Sequence, residues 1–307
     1  IVNGKEYKTT DKGFFYTGNR KVYKLTTVQG YELKATSNHQ IMSLDDGWIS
    51  VENLKIGGKI ILHQHETGKE WNGDGTSDEG YLLGQLIGDG TFSKNQAILS
   101  SWGKKSEKPR QKIEEIMGKM KHRPDWNGWR FINNRDEYRI SHRSLTKLAH
   151  KFGIKQGLKL ISPKIEKSSY QFYKGFISGL FDADGTVSGS QEKGCSVRLN
   201  QSNKKLLIAV QRMLARMGII STIYKRRNVT TQYMPDGKGG QKKYIRKANY
   251  DLCITKSAMK LFNERIGFVE QHKKDLLNKN LSSYKRRIST THNWAIIKSI
   301  EESGFED

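Results

Sequence analysis

Asp89 and Asp184 are the residues of this 307-residue chain whose setting most constrains their chemistry. Each closes a copy of one pattern, YLLGQLIGDGTFS at 81–93 and FISGLFDADGTVS at 176–188, and the copies lie 95 residues apart. Small residues stand four apart in each copy, Gly84 with Gly88 and Gly179 with Ala183. On a helix they share one face and let two backbones approach closely. Gly90 and Gly185 follow, suited to the left-handed residue that ends a helix. A carboxylate there meets the negative pole of the helix dipole, at a cost of ~0.3–1 kcal/mol. Two such helices side by side would bring both carboxylates to one end, where they repel unless protonated or bridged by cations. Mg²⁺ prefers carboxylate and carbonyl oxygens, and shared between two aspartates it can activate water and stabilise an oxygen leaving phosphorus. A lone Asp-Gly is ordinarily a helix cap; two copies behind matched helices in a basic chain call for the metal reading.

The elements that must hold these aspartates also repeat. LAHKFGI (148–154) and LFNERIGF (261–268) put Gly153 opposite Gly267, and RQKIEEIMGKM (110–120) and KKLLIAVQRMLARMGI (204–219) carry apolar residues at helical spacing. Two similar halves of mixed helix and strand follow. Before them, VYKLTT, YELKATS and KIIL alternate apolar and polar residues between glycines, the pattern of a small all-β unit. Charge divides the same way. The chain carries +23 at pH 7; residues 1–66 hold nine basic and seven acidic side chains, so +21 falls on 67–307. A compact domain this basic points to a phosphate polymer. No apolar run approaches the ~18 residues of a membrane helix, and the first residues lack a signal-peptide pattern. Neither membrane insertion nor secretion is expected; Cys195 and Cys253 form no CxxC pair, which fits a reducing, cytoplasmic setting where protein and DNA meet.

Both motifs resemble those of the LAGLIDADG homing endonucleases in their single-chain, two-motif form. Residues 177–185 differ from the eponymous nine only at Ile177, Ser178 and Phe181. The resemblance implies an α+β fold: two pseudo-symmetric αββαββα halves whose curved sheets form a saddle over double-stranded DNA with a long specific target. It implies Asp89 and Asp184 as the metal-binding aspartates, assisted by the carbonyls of Gly88 and Ala183. The cofactor expected is Mg²⁺, with Mn²⁺ as an alternative, and the assembly a monomer. Asp182, whose place in the first motif is Ile87, is read as structural.

Family members carry a basic residue near the scissile phosphate of each half. Lys159, before ISPKI, fits that place in the first half, with Lys164 as the alternative because Ser162 interrupts the pattern. The repeat offset of 114 carries Lys159 to Lys273, with Lys274 beside it. Gln201 is a candidate for positioning water or phosphate. Residues 221–250 hold eight basic side chains and one acid. They read as two strands joined by MPDGKGGQ, a ribbon thin enough for the major groove. Lys225, Arg226, Arg227, Lys242, Lys243, Arg246 and Lys247 would divide between phosphates and base edges. Smaller basic patches lie at Lys104, Lys105, Lys108 and Arg110, and at Lys285, Arg286 and Arg287.

ATSNHQIM and GWISVENLKIGGKIIL resemble part of an intein Hint module, in which Thr36 and His39 would belong to a splicing centre. That resemblance implies an upstream Cys or Ser nucleophile and a downstream His-Asn; with Ile1 and Asp307 at its ends, the chain is expected not to splice. The domain reading is a partial Hint module at 1–66, a linker at 67–80, halves at 81–168 and 169–290, and a segment at 291–307 returning toward the Hint module. The expected function is site-specific hydrolysis of one phosphodiester on each DNA strand. A binding protein without catalysis, an RNA maturase or DNA regulator on the same fold, is the competing class. Two intact motif aspartates oppose it.

Overall fold

Alternating apolar positions place the first strands as a half-buried sheet: β1 (Arg20–Thr27), β2 (Glu32–Thr36), β3 (Gln40–Ser43), β4 (Gly47–Ser50) and β5 (Lys59–Ile61). This computed structural model describes residues 13, 15–16, 18–63, 70–93, 96–190, 194–235, 239–282 and 292–306. The far end of the described chain, β16 (Trp294–Glu306), inserts antiparallel between β1 and β5, giving the order β2-β1-β16-β5-β3-β4. The sheet's buried cluster is small, Leu25, Ile41, Val51, Ile60, Ala295 and Ile297, and the unit leans on its neighbour. The β1–β2 turn docks there: Gln29 O accepts from Ile223 N and from Gln211 Nε2, both at 3.0 Å, and Lys204 pairs with Glu32 at 3.0 Å.

The first half starts earlier than the sequence reading placed it. Thr76 and Glu79 cap each other reciprocally, Glu79 N donating to Thr76 Oγ1 (3.2 Å) and Thr76 N to Glu79 Oε2 (2.9 Å). Helix α1 (Ser77–Gly88) therefore begins inside the stretch assigned as linker at 67–80. The half continues through β6 (Thr91–Ser93), β7 (Gln96–Trp102), α2 (Glu107–Lys119), β8 (Arg130–Ile132), β9 (Glu137–Ile140), α3 (Arg143–Lys151) and the single turn α4 (Pro163–Glu166). Its sheet runs β6-β7-β9-β8.

The second half repeats the order. After α5 (Tyr170–Asp184) come β10 (Gly185–Ser190), β11 (Gly194–Gln201), α6 (Lys204–Arg216) and β12 (Thr222–Arg227). Then β13 (Thr230–Pro235) and β14 (Gln241–Arg246) precede β15 (Asn249–Thr255), α7 (Ala258–Arg265) and α8 (Gln271–Ser282). Here the four-stranded sheet runs β10-β11-β15-β12, and β13 pairs only with β14 as a separate ribbon. The two strands expected over 221–250 are thus each cut in two: Arg227–Asn249 ends the sheet, with a register shift at Lys225–Arg227, and the ribbon leaves it.

Between the halves, α1 and α5 cross with backbones almost touching. A Cβ at Gly84 would lie 2.1 Å from Phe176 O, and one at Gly179 would lie 2.3 Å from Tyr81 O. Gly80 against Phe172 O (2.2 Å) and Gly175 against Ser77 O (1.8 Å) repeat the relation one turn earlier. A side chain at any of these four would force the helices apart, which explains the small-residue stripe. Around the pair, one buried apolar cluster spans both halves, from Leu83, Leu99 and Met117 to Phe181, Leu207 and Ile254. Among the described residues no helix is long and apolar enough to cross a membrane.

Candidate catalytic and nucleic-acid-binding site

The helix crossing delivers both aspartates to one place. Asp89 is the C-cap of α1 and Asp184 the last residue of α5. Gly88 faces Ala183 so closely that a Cβ at 88 would stand 2.4 Å from the alanine Cβ and 3.5 Å from Asp184 Oδ2. The carboxyl group of Asp89 is pushed up to about 6, first by burial and then by the Asp184 charge; Lys159 and Lys273 pull the other way. Asp184 is raised by burial, opposed by a hydrogen bond from Gln201 Nε2 to its Oδ2 (2.6 Å) and by the same two lysines. Two acids and two lysines therefore share one electrostatic site.

Both lysines reach the motif helices. Lys159 Nζ donates to Gly88 O. Lys273, from the first turns of α8, donates to Asp182 O (2.5 Å) and Phe181 O (3.1 Å), and burial holds its ammonium below the usual lysine range. The Gly88 carbonyl, read from the sequence as a metal-side oxygen, is thus engaged by a lysine. Lys164 turns instead to Lys151 O (3.2 Å). Among the described residues no group of three or more His, Cys, Asp or Glu side chains is placed to hold a metal ion. A divalent ion here would take Asp89 and Asp184, with its remaining sites left to carbonyls, water and phosphate oxygens, the ligand set Mg²⁺ accepts.

The polar sheet faces beside this centre hold residues that linear reading missed. On the second half, Asp251 is buried in β15, accepts from Asn200 Nδ2, and lies 3.9 Å from Arg198 and 3.8 Å from Arg226. In the first half, buried Glu137 pairs with Arg139 at 2.8 Å, lowering the Glu137 carboxyl. Each sheet thus fixes an arginine against a buried acid. The signal available in sequence was alternation, since Ser196, Arg198 and Asn200 interleave with buried Val197 and Leu199.

Every residue of β13 and β14 is exposed. The register places Gln232 opposite Tyr244 and Met234 opposite Lys242, so Lys242 and Arg246 share one face, where Arg246 Nη1 donates to Gln232 Oε1 (2.6 Å). Lys243, opposite Tyr233, stands on the reverse face beside Ile245. Arg226 joins Asp251, Lys225 lies opposite Tyr250 on the sheet's other side, Arg227 ends the sheet and Lys247 follows the ribbon. The seven basic residues are therefore not one patch but several. Lys285, Arg286 and Arg287 lie outside the described residues. In the N-terminal sheet, His39 is exposed in the β2–β3 turn, its amide donating to Thr36 O (3.1 Å), while Thr36 Oγ1 donates to Asn38 Oδ1 (2.8 Å).

A helix pair with twin terminal carboxylates, flanked by two basic sheets, defines the class of site. Residues 171–267 match the LAGLIDADG-like domain family. Over longer stretches the chain is similar to ribonucleoside-diphosphate reductase NrdEB subunit alpha of Bacillus subtilis, 28% identical over 311 residues, covering 94% of this chain and 28% of that protein. It is also similar to replicative DNA helicase DnaB of Synechocystis sp., 26% identical over 272 residues (84% and 29%). A third relative is DNA-directed RNA polymerase subunit Rpo1C of Methanocaldococcus jannaschii, 24% identical over 306 residues (86% and 32%). The chain spans about a third or less of each of these relatives. Among solved structures, mesophilic variants of the homing endonuclease I-DmoI overlap with TM-score 0.41 at 18% identity, covering 62% of this chain and 88% of that one. The homing endonuclease I-WcaI overlaps with TM-score 0.38 at 14% identity (66% and 88%).

Proposed function

We propose that this chain is a site-specific endonuclease that hydrolyses one phosphodiester on each strand of double-stranded DNA with a divalent metal, Mg²⁺ or Mn²⁺, and acts as a monomer. The observation that carries the reading is the meeting of Asp89 and Asp184 at the ends of a backbone-close helix pair, with Lys159, Lys273 and Gln201 around them. A bound divalent ion would activate water and stabilise the departing oxygen. The chain's own residues do the rest. The aspartates would hold the ion, Gln201 orients the Asp184 carboxylate, and the lysines would present positive charge where negative charge builds at phosphorus. Both halves supply a basic sheet, and the ribbon of the second extends the contact along a groove. A pure DNA-binding protein has no use for two carboxylates that burial makes costly to ionise, one of them further raised by the charge of the other, in the midst of a basic surface. Selection of cleaved sites from a random duplex library, with Mg²⁺ and with EDTA, tests this directly. Recovery of one long site only with Mg²⁺ supports it, and binding without any cleavage sinks it.

A second reading concerns setting: the chain is part of an intein. Its relatives are named as a reductase, a helicase and an RNA polymerase, which share no reaction, yet one stretch of each resembles nearly all of this chain. An inserted element common to unrelated hosts accounts for that. The six-stranded sheet, holding Thr36 and His39, is then a splicing module through which the nuclease is threaded. Placing the segment in a tagged host protein, with an upstream Cys or Ser nucleophile and a downstream His-Asn supplied, and looking for ligated flanks by mass spectrometry tests it. Loss of ligation in His39→Ala is expected; ligation unaffected by that change would remove His39 from the centre.

A further inference from the structure

The two halves differ at the sixth motif residue, where the first has Ile87 and the second Asp182. Asp182 is buried between the helices, 7% exposed, where an ionisable side chain is costly unless its oxygens are satisfied. They are. Tyr81 Oη of the partner helix donates to Oδ2 (2.8 Å), and the amides of Val269 and Glu270 donate to Oδ1 (3.1 and 3.0 Å). Those two amides belong to the link that launches α8. Glu270 then caps the helix, its carboxylate accepting from the amides of His272 (2.9 Å) and Lys273 (3.2 Å). The Lys273 ammonium completes the circuit by returning to Asp182 O. The side chain at 182 thus fixes the base of the element that carries Lys273, and its carbonyl fixes the tip.

Among the described residues nothing comparable surrounds Ile87, whose side chain has no acceptor. Lys159 arrives on the segment after α3, held by other contacts: Gly157 N to Phe92 O (3.2 Å), and Ser162 Oγ to Phe152 O. We propose that Asp182 is a positioning residue for Lys273, so that one of two cleavage centres depends on it and the other does not. The proposal rests on the endonuclease reading above and adds to it an inequality between the strands.

The test is strand-resolved cleavage of a selected duplex, each strand labelled separately. Lys273→Met and Lys159→Met first define which strand each lysine serves. Asp182→Ala should then slow the Lys273 strand about tenfold or more and leave the other within about threefold. Asp182→Ala combined with Lys273→Met should be no slower on that strand than Lys273→Met alone, because both changes remove one function. Asp182→Asn, which keeps an oxygen for the two amides, should recover most of the loss. Asp182→Ile, copying the first half, serves where the alanine variant folds poorly. Equal slowing of both strands, additive loss in the double variant, or unfolding of the alanine and isoleucine variants alike would overturn the proposal. No cleavage of any duplex by the wild type would instead reject the endonuclease reading itself.

Discussion

The two halves bring the same order of elements to the site with different side chains around it. In the first, Asp89 caps α1, the lysine that reaches the motif helix comes from the segment after α3, and no ribbon leaves the sheet among the described residues. In the second, Asp184 is braced by Gln201, Lys273 comes from a helix tied down by Asp182 and Glu270, and a two-stranded ribbon projects from the sheet. Symmetry resides where backbone meets backbone, since neither helix can change its contact without the other. The surrounding shell, free of that constraint, differs between the halves.

The helix crossing is the place to break the symmetric part. Gly84→Ala and Gly179→Ala each drive a methyl group into a carbonyl of the opposing helix, with no flexible side chain to yield. Each should cost ~3 kcal/mol, the upper end for overpacking, measured by denaturant unfolding. Similar losses at both sites are expected; a harmless substitution at either would mean that the helices do not pack this closely.

The ribbon sharpens the asymmetric part. Lys242→Gln with Arg246→Gln removes two charges from one face and should flatten the slope of log K against log salt by ~1.8, at ~0.9 per phosphate contact. Lys243→Gln, on the reverse face, should change it far less. An equal effect per residue would mean that the ribbon is surrounded by DNA rather than lying with one face on it.

A smaller effect separates the aspartates. Asp89 holds its proton up to about 6 in the folded protein against an ordinary value of 3.8. The folded state therefore binds more protons than the unfolded one between these values, and stability falls as pH rises through that window. Removing the charge in Asp89→Asn should stabilise the metal-free protein by ~1–2 kcal/mol at pH 7.5 after allowance for solvent screening. The gain should vanish near pH 4. Thermal melts in EDTA at both pH values measure it, and a destabilised variant at pH 7.5 would contradict the burial and repulsion described.

The paired motifs, the lysine offset of 114 and the basic stretch were legible because each is a local pattern or a repeat of one. Apolar periodicity passes over the start of α1, because Thr76, Ser77, Asp78 and Glu79 are polar; the signal that marks it is the capping-box spacing of Thr76 and Glu79. The division of the 221–250 strands was hidden for a related reason: both parts favour extended backbone, and only pairing to β11 and β15 decides where the sheet ends. Asp182 was read as structural without its partners, and Asp251 was missed, because those partners lie 87 to 101 and 25 to 53 residues away in sequence. Cross-element hydrogen bonding of that kind leaves no trace in spacing.

A metal held jointly by Asp89 and Asp184, as proposed above, requires both carboxylates for cleavage. Asp89→Asn and Asp184→Asn, each assayed on the selected target with saturating Mg²⁺, test it most directly, with gel-shift affinity measured in parallel. Each variant should bind within roughly threefold of wild type, under ~1 kcal/mol, while cleavage of at least one strand falls by far more than tenfold. Cleavage of both strands within about tenfold of wild type, ~1.4 kcal/mol in barrier, by either variant would contradict a shared metal site.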